Sequence, residues 1–306
     1  MIHGESGNAR TPPTPPNKGG DYDQDLQPKL PQMIRSACIL EARARKPGNV
    51  HPEIAFPDLC YEDFVLGAQA VSEVLPAAVG RGVGTAILES VQRTRELVHR
   101  PTNPNLGIIL LLAPLVAVPP DVSLLHGVGE ILARLSVEDA RQVYRAIGLA
   151  NPGGMGKVDE ADLTAVPSIS LREAMRLAAD RDAIASEYVT GFQIVLGTGV
   201  PFLAGWSDFS TDWEAAIIHL QLTLMSRFPD TLIARKCGRD MADESARRAQ
   251  TVLDVGGPQT EPGRLQLGLL DAWLRADGHR RNPGTTADLI AASLFAAARD
   301  GMIQFD

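Results

Sequence analysis

From Pro31 onward the apolar residues recur at steps of three and four, and almost nowhere alternate with polar ones as a half-buried strand requires. This period predicts an all-α fold. Over Tyr61 to Ala78 the stripe is Phe64, Ala68, Val71 and Leu75, with Glu62 and Asp63 in the first turn, where the helix dipole favours acids. Further helices are expected over Thr85 to His99, from Ile108, from Ser136 to near Ala150, over Ser170 to Leu196, over Trp213 to Phe228 and over Thr285 to Arg299. About ten to twelve helices in one domain over residues 31–306 follow, with those from Ile108 and Ser170 at its centre. Residues 1–30, with TPPTPP and NKGGDYDQD, read as a disordered Pro-rich leader that lacks a signal-peptide core and carries no chemistry.

A length of 306 residues with 44% hydrophobic content is enough for one large core. The net charge of −8 argues against nucleic acid or an anionic membrane as partner, so local basic clusters must do any phosphate binding. The longest apolar run, Ile108 to Val118 with Pro114 inside it, is too short to span a bilayer. Cys38, Cys60 and Cys237 lack metal-ligand spacing and form a poor disulfide set, which points to a reducing, cytoplasmic setting. A homodimer is the default expectation.

Chemistry concentrates first in EARARKPGNVH, Glu41 to His51. Ile34, Ala37, Cys38 and Glu41 share one helical stripe, so a carboxylate is aimed inward near a helix C-terminus, where the dipole disfavours it. Pro47-Gly48 then breaks the helix beside Arg43, Arg45 and Lys46, either as a basic C-cap or as a turn that binds an anion. The glycines of Gly80 to Gly84 have no strand before them and read as a loop.

Three Asn-Pro loops follow: Thr102 to Gly107, the loop from Asn151 and the loop from Asn282. Asn103 is the expected N-cap of the helix from Ile108, with Pro104 in its first turn. Glycines after a cap weaken a helix and suit close approach of backbone to a ligand. In the helix expected from Ser170, Asp182 falls on the seam with Leu171, Met175, Ala178, Ala185, Val189, Phe192 and Leu196. A buried carboxylate there needs a basic partner, a metal or hydrogen bonds. Glu187 is expected to be solvated and His219 to be a packing residue. Asp230 stands at a helix start before Arg235 and Lys236, as an N-cap or as part of a metal-bound phosphate site. Asp288 lies early in the last helix, behind Arg280, Arg281 and Asn282.

Taken together, KPGNVH with its upstream Glu41, TNPNLG before an apolar helix, PDTLIARK and NPGTTADLIAASLF resemble the triphosphoribosyl-dephospho-CoA synthase family, in the family's order, from Gln32 to about Gly301. The resemblance implies an all-helical pentosyltransferase that moves the triphosphoribosyl group of ATP to a ribose hydroxyl of 3'-dephospho-CoA, releasing adenine, with magnesium. Three motifs depart from the usual residues: Thr102 to Gly107 has no histidine, Leu232 and Lys236-Cys237 stand in the aspartate motif, and Thr285-Thr286 follows Pro283-Gly284. This marks a divergent member, with a related ribosyl transfer to another acceptor as the alternative.

Such a reaction breaks an N-glycosidic bond through an oxocarbenium-like transition state, which calls for nearby negative charge, a base for the attacking hydroxyl and cations on the phosphates. Glu41 and Asp182 are the expected catalytic acids, with Asp182, Asp230 and Asp288 around magnesium. Lys46, Gly48, Asn49, His51, Thr102, Asn103, Asn105, Gly107, Asn151, Arg235, Lys236, Asn282, Gly284, Thr285 and Thr286 are the expected substrate and phosphate contacts. The competing readings are a magnesium-dependent hydrolase of nucleotides or ADP-ribose and, third, a non-catalytic helical scaffold.

Overall fold

The computed structural model describes residues 26–100, 103–150 and 167–305. Among these residues there are fourteen α-helices and no strand, only two isolated bridges. The first helix, α1 (Leu26–Arg43), starts inside the stretch expected to be leader, and Leu30 is already buried. Pro28 sits in its first turn, where a missing N–H costs nothing. Next come α2 (Tyr61–Ala78), as expected, and α3 (Val83–Leu97). The glycines between them are structural: a β-carbon on Gly84 would lie 2.5 Å from the Asp139 Cα of the helix packed against it.

The apolar run forms α4 (Leu106–Val116), preceded by Asn105 in the cap position instead of Asn103, whose Oδ1 accepts the Asn105 N–H at 3.1 Å. After α5 (Leu124–Ala133), Ser136 and Asp139 bond reciprocally at the start of α6 (Val137–Ala150). Helices α1, α2, α3 and α6 pack one on the next.

The long helix expected from Ser170 is not continuous. Ser170 and Glu173 form a capping box on the short α7 (Leu171–Arg176), the chain then turns, and Asp182 starts α8 (Ala183–Thr190) by accepting the N–H groups of Ile184 and Ala185. Gly191, at φ 75°, ends α8, and a π-helical turn over Val195–Gly199 leads into α9 (Val200–Ala204). The capping chemistry of Asp182 outweighs its seam position. The same break overturns the solvated reading of Glu187. Its carboxylate is fully buried and accepts the N–H of Ile194 at 2.8 Å and of Val195 at 2.9 Å, donors that a continuous helix would have satisfied. Burial pushes its pKa up to about 7.

Beyond α10 (Phe209–Arg227), a smaller apolar cluster ties that helix to α11 (Thr231–Cys237), α12 (Arg239–Asp254) and α13 (Glu261–Arg275) through Leu222, Ile233, Ala249 and Leu270. His219 on α10 packs against Phe202 and Trp206, as expected. The core itself is organised around α14 (Gly284–Arg299), where every residue from Leu289 to Arg299 is buried. It touches α1, α4, α8, α9, α10 and α11 and takes the central place expected of the Ser170 helix. Small side chains allow this. A β-carbon on Gly199 would stand 2.0 Å from Ser293 Oγ of α14. At the far end of α14, the Arg299 guanidinium donates to the carbonyls of Val118, Pro119 and Val122.

Candidate active site

The N-terminal turn of α14 opens into a cavity of about 530 Å³. Its walls come from the end of α1 with the loop after it, the first turn of α2, the starts of α4 and α8, α11 and residues 278–288. A cleft of this size, fed by six chain segments, is of ligand dimensions.

Four carboxylates line it: Asp58 in the loop after α1, and Asp288, Asp182 and Glu41. Asp288, in the second turn of α14, makes no hydrogen bond or ion pair among the described residues and lies against the bare Cα of Gly107 on α4. Burial raises its pKa well above the usual carboxylate range, and the nearby charges of Glu41, Asp230 and Asp182 raise it further, against a smaller opposing pull from Arg235. Asp182 spends Oδ1 on its helix and keeps Oδ2 3.9 Å from Arg235 Nη1. Glu41 is buried, as its stripe predicts, with Oε1 2.9 Å from Lys46 Nζ. Lys46 is itself fully buried, donates also to the Glu41 carbonyl and is absent from the cavity wall. It neutralises Glu41 within the protein.

Asp230 is close by but spent. Its Oδ1 accepts the N–H groups of Leu232 and Ile233, and its Oδ2 accepts both the N–H and the Oγ of Thr286 at 2.8 Å. Four bonds use the acceptor capacity of a carboxylate. Asp230 and Thr286 thus clamp the start of α11 to the start of α14 and leave no lone pair for a metal. Thr285, beside them, lines the cavity and accepts a bond from Thr231 Oγ1 at 3.1 Å.

The turn after α1 is tied inward. Gly48 N–H donates to Asp271 Oδ1 at 2.7 Å, Arg275 bonds the same oxygen and the Asn49 carbonyl, and Gln221 holds the Pro47 carbonyl and Asn49 Oδ1. Gly48 also needs its missing side chain, because a β-carbon there would meet Leu274 at 2.8 Å. Its amide therefore anchors the turn to α13. Asn49 reaches the cavity and donates to Asn282 Oδ1 at 2.8 Å, so the first and last of the expected loops meet. His51 is buried beside this network, where burial and the Arg275 charge lower its pKa.

Asn103, Gly107, Arg235, Lys236, Asn282, Gly284 and Thr285 all line the cavity with the acids. Asn105 is buried behind the wall and bonds Thr94. Thr102 and Asn151 lie outside the described residues. The cavity also contains Phe56, Asp58 and His279, which helical periodicity passed over, together with Phe64 from the expected stripe of α2 and Arg280 from the basic loop before the last helix. The signal for the first two is local. HPEI and FPDL are two successive tetrapeptides with proline second and an acid third, and each closes a bridged tight turn, His51 to Ile54 and Phe56 to Leu59.

Among the described residues no group of three or more acidic, histidine or cysteine side chains is arranged to hold a metal. The donor set fits magnesium in another way. Asp288 and Asp182 face one space where negative charge is incompletely balanced, and magnesium is commonly held by one or two carboxylates plus substrate phosphates.

Over residues 28–304 the chain matches the family model described as CitG, ATP:dephospho-CoA triphosphoribosyl transferase. Curated proteins bearing the name "Probable 2-(5''-triphosphoribosyl)-3'-dephosphocoenzyme-A synthase" are similar in part. One from Pseudomonas fluorescens Pf-5 is 33% identical over 126 residues, 41% of this chain and 40% of that protein, and one from Pseudomonas putida is 30% identical over 44% of this chain and 47% of that protein. The matched stretches thus span less than half the length of these relatives. A crystal structure from Archaeoglobus fulgidus, provisionally assigned as a triphosphoribosyl-dephospho-CoA synthase, superposes with a TM-score of 0.59 at 29% identity and covers 79% of this chain and 99% of that one. With the family model matching nearly end to end, this chain belongs to the ATP:dephospho-CoA triphosphoribosyl transferase family.

Proposed function

We propose that the protein transfers the 5-triphosphoribosyl group of ATP to the ribose hydroxyl of 3'-dephospho-CoA and releases adenine. The observation that carries this reading is the meeting, in one cavity, of Glu41, Asp288, Arg235 and Lys236, drawn from family motifs far apart in the chain, with Asp182 from the start of α8. The reaction needs anions at the anomeric carbon and cations on the phosphates, and the cavity supplies both.

In this reading Arg235 and Lys236 take the triphosphate. Burial and the neighbouring Arg235 lower the Lys236 pKa, a strain that an arriving anion relieves. Asp182 and Asp288 would hold magnesium, which when bound neutralises phosphate charge and fixes the triphosphate. Glu41 takes the proton of the attacking hydroxyl through the oxygen not engaged by Lys46. The carboxylates together stabilise positive charge as the bond to adenine breaks, and Asn49 and Asn282 orient the ribose. We place this chemistry in the cytoplasm, with a homodimer as the assembly that sedimentation would check.

Incubation with ATP, magnesium and dephospho-CoA, with free adenine followed by chromatography, tests the reading. Adenine that appears only with dephospho-CoA present supports the transfer. Adenine or phosphate release at the same rate without an acceptor would replace it with nucleotide hydrolysis.

A further inference from the structure

Opposite in character to the acids, another part of the cavity is aromatic and apolar, with Phe56, Pro57, Leu59, Phe64 and His279. The Phe56 and His279 rings stack with centroids 3.9 Å apart and planes inclined by 31°. The charges that act on His279 are those of Arg275, Asp58 and Lys236, whereas Asp288 feels Glu41, Asp230, Asp182 and Arg235.

The pair is held at some expense. His279 has φ 66° and follows Gly278 at φ 55°, and a non-glycine residue in the left-handed region is strained and persists only where its surroundings enforce it. They do so here. Arg280 donates to the Lys236 carbonyl at 2.8 Å, and Arg281 stacks at 4.5 Å on the Trp273 ring, which Arg248 also contacts at 4.7 Å. On the other side, the Phe56 N–H donates to the Leu59 carbonyl at 2.8 Å and closes the FPDL turn. His279 Nδ1 is buried without a hydrogen-bond partner among the described residues. Burial and the Arg275 charge lower the pKa of this imidazole, so at neutral pH it offers an uncharged π-face. A strained backbone, two locked rings and an unpaired nitrogen bring no gain to the core, but they suit a planar heteroaromatic ligand.

We propose that Phe56 and His279 form the stacking platform for an adenine ring, with Asp58 and Arg280 beside it. The proposal rests on the transfer reading only in taking adenine nucleotides as the ligands. Both ATP and dephospho-CoA carry that ring, and the platform serves one of them.

Calorimetric titration of the full chain with ATP, dephospho-CoA and inorganic triphosphate, each with magnesium, is the test, on wild type, His279→Ala and His279→Phe. A stacked base is worth about tenfold or more in affinity. His279→Ala should lose about that factor for ATP or for dephospho-CoA, and the ligand affected names the owner of the platform. Inorganic triphosphate should bind unchanged, which guards against a folding defect, and His279→Phe should restore the loss. Unchanged affinity for both adenine ligands in His279→Ala would overturn the proposal, as would equal weakening of all three. Wild-type binding of both nucleotides without adenine release would sink the transfer reading alone, with the His279 affinities still deciding the platform.

Discussion

Gly107 on α4 and Asp288 on α14 share one space: a β-carbon at 107 would stand 2.0 Å from Asp288 Oδ2 and 2.8 Å from Ile184 Cδ1. The carboxylate has its place because α4 bears no side chain there. Gly107→Ala is therefore expected to displace Asp288. Overpacking of this kind costs about 1–3 kcal/mol, and adenine release should fall at least tenfold. A variant with wild-type turnover and melting temperature would show that Asp288 can move freely without consequence.

Asp182→Asn separates the two jobs of that residue. Asparagine caps a helix about as well as aspartate, so α8 and the melting temperature should be retained. The charge facing Arg235 and the proposed magnesium would be gone, and turnover should drop by an order of magnitude or more. Full turnover in the folded variant would reduce Asp182 to a cap.

Lys46 and Glu41 are a buried ion pair, and removing one member leaves a charge with no counter-ion. Lys46→Met should lower the unfolding free energy by about 3–5 kcal/mol. Lys46→Met combined with Glu41→Leu should recover much of that loss in urea melts, although not activity. If the double variant is less stable than Lys46→Met alone, the pairing argument fails.

Glu187 predicts a pH dependence. Its pKa rises from 4.5 to about 7 on folding, chiefly through burial. Between those values the folded chain keeps a proton that the unfolded chain has lost, so stability falls as pH rises through the window, by about 3 kcal/mol in all. Glu187→Gln cannot lose a proton. The variant-minus-wild-type difference in unfolding free energy, measured in urea at pH 5 and at pH 8, should grow in favour of the variant by about that amount. A difference independent of pH would show that Glu187 does not titrate there.

Helical period carried the sequence a long way: α2 appears as read, α6 starts with its Ser136 and Asp139 caps, and Glu41 points inward. The period failed where polar side chains competed for backbone donors. At Asp182 a cap displaced a seam, and at Glu187 a carboxylate filled in for a broken turn, outcomes set by local hydrogen bonding that apolar spacing does not register. The four family motifs converge on one cavity, yet Lys46, Gly48 and Asp230 turned out to be occupied by the protein itself. Whether a lone pair or an amide is free depends on partners far along the chain, Asp271 for Gly48 and Thr286 for Asp230. The aromatic pair was invisible for a similar reason, since Phe56 and His279 lie far apart in the chain and meet only in the fold.

The buried axis of the molecule has a consequence for its birth. Helix α14 fills the gap between α1, α4 and α10, all of which leave the ribosome long before it. Those helices must wait with the faces that meet α14 unfilled until the alanine-rich segment emerges to complete them. Helices α1 to α3 can pair during synthesis, but native packing round the axis is a late event. Nascent chains stalled before Gly284 should therefore be bound by hydrophobic-surface chaperones and cut readily by protease, and chains extended past Arg299 should escape both.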